Sequence, residues 1–235
     1  MEKVGITERG DAAINLEWIP WVKEGKPAIL ITKNPIRVYD ALKLIKNKNV
    51  IVHATITGFG GTKLEPNVMS YNTTIVGYEA LTRLLGKERV ILRIDPIIPT
   101  DKGLTKAFQV LQLTDLTKDQ RIKISFFDNY PHVKERFAQA GLPEIGYDFH
   151  APIERRKEVY EMLVKSTKAT IEVCGEPGFP CTGCISAKDC EVLGITPSDG
   201  KSKQRGACAC LSMKQELLNN KHRCAHNCLY CYWKD

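Results

Sequence analysis

Nine cysteines, none of them before residue 174, constrain what this chain can fold into more than any other feature. They are Cys174, Cys181, Cys184, Cys190, Cys208, Cys210, Cys224, Cys228 and Cys231. Nine is odd, so pairing alone would leave one thiol over. A chain of 235 residues with 43% hydrophobic side chains can bury roughly 70% of its unfolded surface and folds without disulfide staples. Residues 1–173 are therefore expected to form a scaffold with its own core. Residues 174–235 are expected to form a cysteine-rich segment packed on it that carries the chemistry.

The amino terminus, Met1-Glu2-Lys3-Val4-Gly5-Ile6-Thr7, has no apolar signal region behind a basic head. No run approaches the roughly 18 apolar residues of a membrane span, so a cytoplasmic location without a membrane partner is expected. Thiols stay reduced there, and clustered cysteines hold metal more often than they bridge; disulfides in hyperthermophiles are the exception. The charge sum, 34 − 27 = +7, permits an anionic partner without naming one.

Residues 1–173 alternate. Apolar, β-branched runs of strand length occur at Lys3–Thr7, Ala28–Thr32, Val50–Thr57, Val90–Ile94, Ile122–Phe127 and Thr170–Cys174. Between them, helical spacing predicts helices over Ile14–Lys23, Arg37–Lys46, Thr73–Leu85, Lys106–Leu113, Val133–Ala140 and Ile153–Ser166, with Asn72 and Asp101 as caps. The charges of the last helix, Arg155, Arg156 and Lys157 interrupted by Glu154, Glu158 and Glu161, suggest a solvated face. Repeated βα units imply a parallel sheet with right-handed crossovers. The expected class is α/β, a partial (β/α)6 barrel with the cysteine-rich segment across its C-terminal mouth; an open doubly wound sheet is the alternative. In either, working residues sit where strands end. Those ends offer Glu8, Lys33 with Asn34, Thr57 with Gly58, Arg93 with Asp95, Ser125 with Asp128, and Glu172.

The strongest local signal is Cys224-Ala225-His226-Asn227-Cys228-Leu229-Tyr230-Cys231. Three thiolates at this spacing can hold three irons of a 4Fe–4S cluster and leave the fourth open. The bland alternative is a zinc ribbon in which Cys208 and Cys210 pair with two of the three. His222 and His226 are potential ligands too, but beside so many thiols a surface or supporting role fits them better; His226 and Asn227 could hydrogen-bond cluster sulfurs.

This motif, with an aromatic residue before its last cysteine, resembles that of the radical S-adenosylmethionine superfamily. The resemblance implies S-adenosyl-L-methionine as cofactor, reductive cleavage to a 5′-deoxyadenosyl radical, and a reductant such as ferredoxin or flavodoxin. The motif ordinarily follows the first strand, whereas here it stands near residue 235. More closely, the chain resembles an uncharacterised family of such proteins with a C-terminal motif. The matching stretches are His53–Gly58 with Leu64–Val68, Arg93–Ile98, Ile124–Asp128, Cys208-Ala209-Cys210 and the final triad. The segments Arg93–Ile98 and Tyr230-Cys231-Tyr232 are also similar to spore photoproduct lyases, which repair DNA, and this implies a nucleic acid or nucleotide as substrate. Thr7-Glu8-Arg9-Gly10-Asp11 departs from the family's Ser-Arg-Arg-Thr-Asp-like segment.

The resemblance assigns Cys174, Cys184, Cys208 and Cys210 to a second, fully ligated 4Fe–4S cluster, so that two 4Fe–4S clusters are expected. Cys181 in place of Cys174 is a rival, because Cys181 and Cys184 are themselves well spaced. Charge counting on the iron–sulfur cores brings the loaded protein to about +4. For the adenosyl pocket, Asp95 is the candidate acceptor from ribose hydroxyls, Arg93 for the methionine carboxylate and Glu65 for its ammonium. Lys33, Asn34, Thr57 and Gly58 are further cofactor contacts. A buried Arg93–Asp95 ion pair is the structural alternative, and a non-enzymatic iron–sulfur or zinc protein the functional one.

Overall fold

A computed structural model describes residues 2–202, 206–220 and 222–234. Seven strands form one parallel sheet: β1 (Val4–Ile6), β2 (Ala28–Thr32), β3 (Val50–Thr55), β4 (Val90–Ile97), β5 (Arg121–Phe126), β6 (Thr170–Val173) and β7 (Lys214–Glu216). Their spatial order is β6-β5-β4-β3-β2-β1-β7. The first six thus lie side by side in chain order, linked through α1 (Ile19–Lys23), α2 (Pro35–Leu42), α3 (Tyr71–Leu85), α4 (Asp101–Thr114), and the pair α5 (Pro131–Gln139) and α6 (Ile153–Ser166). A last helix, α7 (Ala187–Leu193), precedes β7.

Strand side chains alternate in direction, and the two faces of this sheet meet different partners. Leu30, Val52, Leu92 and Ile124 pack outward against helix residues Leu42, Leu81, Val110 and Leu163. Inward, Val4, Ile6, Ile29, Ile51 and Ile91 pack against Ile185, Cys190, Leu193 and Met213 of the cysteine-rich segment. Each such side chain, fully buried, contributes roughly 1.5–3 kcal/mol. Because both faces are covered, the strands are continuous apolar runs.

Several boundaries differ from the sequence expectation for local reasons. The first helix is only Ile19–Lys23; upstream, Asp11 folds the chain into a turn by accepting from the Ala13 amide, and Trp18 Nε1 donates to the Ala12 carbonyl at 2.7 Å. The caps of α3 and α4 are Ser70 and Thr100, whose hydroxyls accept from the Thr73 and Gly103 amides; Asn72 and Asp101 lie inside the helices. Strand β4 continues through Pro96 to Ile97 with a register shift, rather than ending before the proline. Arg156 is buried and paired with Glu176 at 3.0 Å, so the charged face of α6 is not wholly solvated. Among the described residues, no helix is long and apolar enough to cross a membrane.

Candidate metal centre

At the C-terminal ends of the strands the inward positions turn polar, and a cavity opens there. Its walls include Glu8 after β1, Lys33 after β2, Thr55 on β3, Asp95 on β4, Ser125 on β5 and Cys174 after β6. Seven cysteines line it: Cys174, Cys184, Cys208, Cys210, Cys224, Cys228 and Cys231. None of the nine cysteines is in a disulfide. Cys190 is fully buried beside Met213, its thiol 3.6 Å from the methionine sulfur, and Cys181 donates to the Glu176 carbonyl at 3.2 Å.

Four segments hold the Cys224–Cys231 loop: those after β1, β2 and β3, and helix α5. The His226 ring faces the Asp11 carboxylate at 2.9 Å through Nε2 and the Asn67 carbonyl at 3.2 Å through Nδ1. Two acceptors suit an imidazolium: burial opposes the charge, yet Asp11 holds the His226 pKa above its ordinary value. Burial would likewise raise the Asp11 carboxyl, but His226 and the Lys33 amide hold it low. Asn67 Nδ2 donates to the Ala225 carbonyl at 2.8 Å, and the Leu229 amide to the Leu64 carbonyl at 3.0 Å. Arg136 of α5 donates to the Cys231 and Trp233 carbonyls at 2.7 and 2.6 Å. Lys33 Nζ reaches both the Tyr230 hydroxyl and the Glu65 carboxylate at 2.8 Å, and Tyr230 closes the triangle by donating to Glu65. Asn227 takes the left-handed φ of +53° that lets the loop turn back. Burial pushes the Cys228 thiol up to about 12, with Lys33 opposing, so a metal binding here displaces a proton.

The second group assembles from separate segments. Cys174 Sγ lies 3.7 Å from Cys184 Sγ, and Cys210 Sγ accepts from the Cys184 amide at 3.2 Å. Arg93 Nη1 points at Cys184 Sγ from 3.6 Å. Hydrogen bonding from Cys174 and Cys210, with Arg93 and Lys123 nearby, holds the Cys184 thiol well below its usual pKa. On the same inner face His53 is fully buried, and neither ring nitrogen has a partner among the described residues. Burial, then Lys123 and Arg93, keep it neutral. A cysteine-rich wall with one thiol held low, cations behind it and an orphaned imidazole alongside fits a bound anionic metal group. Gly183 makes the assembly possible: a Cβ there would stand 2.4 Å from Cys210 Cα. Should metal bind at both cysteine groups, Gly183→Ala is expected to lose it here and to keep it at Cys224, Cys228 and Cys231, as metal analysis of the purified variant would show.

A family model described as a domain of unknown function, DUF1848, matches residues 23–233. The chain belongs to the DUF1848 family. No curated protein and no solved structure matches it.

The cofactor contacts expected of this DUF1848 chain separate into two sets. Lys33, Arg93 and Asp95 line the cavity; Asn34, Thr57, Gly58 and Glu65 are not among its walls. Asn34 caps α2 by accepting from the Arg37 amide. Thr57 accepts from the Phe59 amide. Gly58 has φ +83°, and a Cβ there would meet the Lys106 backbone at 2.9 Å, so the glycine serves the packing of α4. Glu65 is bound by Lys33 and Tyr230, and its side chain is 2% exposed. Arg93 is paired with Asp95, and Ser125 donates to the same carboxylate; the guanidinium fork is thus engaged within the protein. The His226 ring is held by Asp11 and Asn67, while its backbone hydrogen-bonds the Cys224 thiol.

Sequence reasoning missed Lys123, fully buried with Nζ 2.6 Å from the Gly183 carbonyl and 3.0 Å from Glu172. A lysine inside the β-branched run of β5 was the signal available. It also missed the partnerships of Asp11 and Tyr230, which no local pattern announces.

Proposed function

We propose that this protein is a radical S-adenosylmethionine enzyme built on a partial (β/α)6 barrel. Cys224, Cys228 and Cys231 would hold a 4Fe–4S cluster open at one iron. Cys174, Cys184, Cys208 and Cys210 would hold a second cluster, the set that the family resemblance implies. The observation that carries the reading is the convergence of these seven cysteines, as one loop triad and one dispersed group, on a single cavity at the strand ends. Bound there, the open cluster would supply the electron that cleaves S-adenosylmethionine into methionine and a 5′-deoxyadenosyl radical.

The chain's own residues orient and insulate. Arg136, Asn67 and the Asp11–His226 pair fix the triad loop; Lys33 places a buried positive charge beside Cys228. Arg93 and Lys123 offset negative charge at the second group. A nucleic acid or nucleotide substrate rests on the likeness to photoproduct lyases, and the cavity's cations Arg9 and Arg223 are compatible with it.

Anaerobic incubation with S-adenosylmethionine and dithionite, followed by assay for 5′-deoxyadenosine, tests the reading. Brown protein with about eight irons per chain and 5′-deoxyadenosine formation is the expected result. A colourless zinc protein would sink it. Asp95→Asn removes a charged partner of Arg93 and is expected to lower folding stability by about 1.5–3 kcal/mol, measured by thermal melting beside calorimetric affinity for S-adenosylmethionine. Lost affinity at unchanged melting temperature would return Asp95 to the cofactor pocket.

A further inference from the structure

We propose that Glu8 is a metal ligand, supplying to the group bound at Cys174, Cys184 and Cys210 the fourth donor that the family resemblance assigns to Cys208. The proposal rests on the iron–sulfur reading above and changes its second donor set from four sulfurs to three sulfurs and an oxygen.

A Glu8 carboxylate oxygen, Cys184 Sγ and Cys210 Sγ all lie within 4.8 Å of one another. Cys174 Sγ joins them through its 3.7 Å approach to Cys184 Sγ. The Cys208 thiol is turned toward the Ser202 carbonyl at 3.4 Å. The Glu8 side chain is only 9% exposed, an unusual place for a carboxylate unless it is paired or binds metal. Lys214 Nζ holds Oε2 at 2.7 Å, as a second group commonly orients a ligating carboxylate. The Glu8 amide, donating to Glu216 at 3.0 Å, fixes the chain at the end of β1. An oxygen donor among thiolates holds iron less tightly than a fourth sulfur, because carboxylates suit harder ions. The iron at that corner is the one expected to exchange first.

Anaerobic reconstitution with ferrous iron and sulfide tests this, with iron counting and low-temperature EPR of the dithionite-reduced protein. Cys210→Ala is the positive control and should fall from about eight irons per chain to about four. Glu8→Gln should fall equally, or keep its iron with an altered EPR signal from the second cluster. Cys208→Ala should keep both clusters. Lys214→Met breaks the same ion pair without removing the donor and should also keep them; loss of iron here equal to that in Glu8→Gln would make the carboxylate's role structural and overturn the assignment. Full iron and an unchanged EPR spectrum in Glu8→Gln would overturn it as well. Wild-type protein that takes up no iron would overturn the cluster reading and this assignment with it. A loaded wild type beside an indifferent Glu8→Gln variant overturns the assignment alone.

Discussion

Replacing Cys224, Cys228 or Cys231 by alanine is expected to abolish cleavage of S-adenosylmethionine, with no 5′-deoxyadenosine formed above background, and to remove about four irons per chain. The fold should survive. Both faces of the sheet carry large apolar clusters formed independently of these residues, and Cys228 belongs to a smaller third cluster with Phe127, Val133 and Phe137. Loss of a thiol from that cluster costs no more than about 1–2 kcal/mol by comparison with larger core truncations. Far-ultraviolet circular dichroism and a cooperative melt would verify the fold. Cleavage that persists in all three variants would remove the triad from the catalytic centre.

Glu65→Gln is expected to have the largest effect on stability. The carboxylate is 2% exposed and Lys33 16% exposed, so the substitution strands a nearly buried ammonium. Burial alone would raise the Glu65 carboxyl and lower Lys33, yet each holds the other charged. Removing one partner of a buried pair costs about 3–5 kcal/mol, and the remaining exposure of Lys33 places this case near the lower end, about 3 kcal/mol. Urea denaturation at an unchanged slope would measure it. Tyr230 hangs on the same triangle, one residue before Cys231, so iron at the triad should become easier to remove by chelators. Unchanged stability together with lost affinity for S-adenosylmethionine would restore Glu65 as a contact to the cofactor's ammonium group.

The triad was legible in the sequence because chain connectivity brings it together: three thiols within eight residues share one loop in almost any fold. The βα alternation was legible for a similar reason, since strand and helix periods of apolar residues report on each element singly. Element ends were less legible. Ser70 and Thr100 outcompeted Asn72 and Asp101 as caps because capping depends on where the backbone leaves helical geometry, and that is settled by packing against the sheet. Asn34 and Gly58, adjacent to strand ends, looked like cavity residues, but one caps α2 and the other gives way to α4.

Distance along the chain marks what only tertiary structure decided. Asp11 and His226 stand 215 residues apart, and Glu8 and Lys214 206 apart. Nothing periodic or local relates such residues; they meet because β7 joins β1 at the sheet edge and the final loop settles over the strand ends. Sequence alone determined that thiols would be concentrated at one end of an α/β chain, and that three of them would share one eight-residue stretch. The sheet order, with two residues per period directing side chains to one face or the other, decided which carboxylate, which guanidinium and which of the remaining thiols stand beside one another. Side-chain chemistry is carried by each residue singly, whereas a site is a relation between residues that only the folded backbone brings within bonding distance.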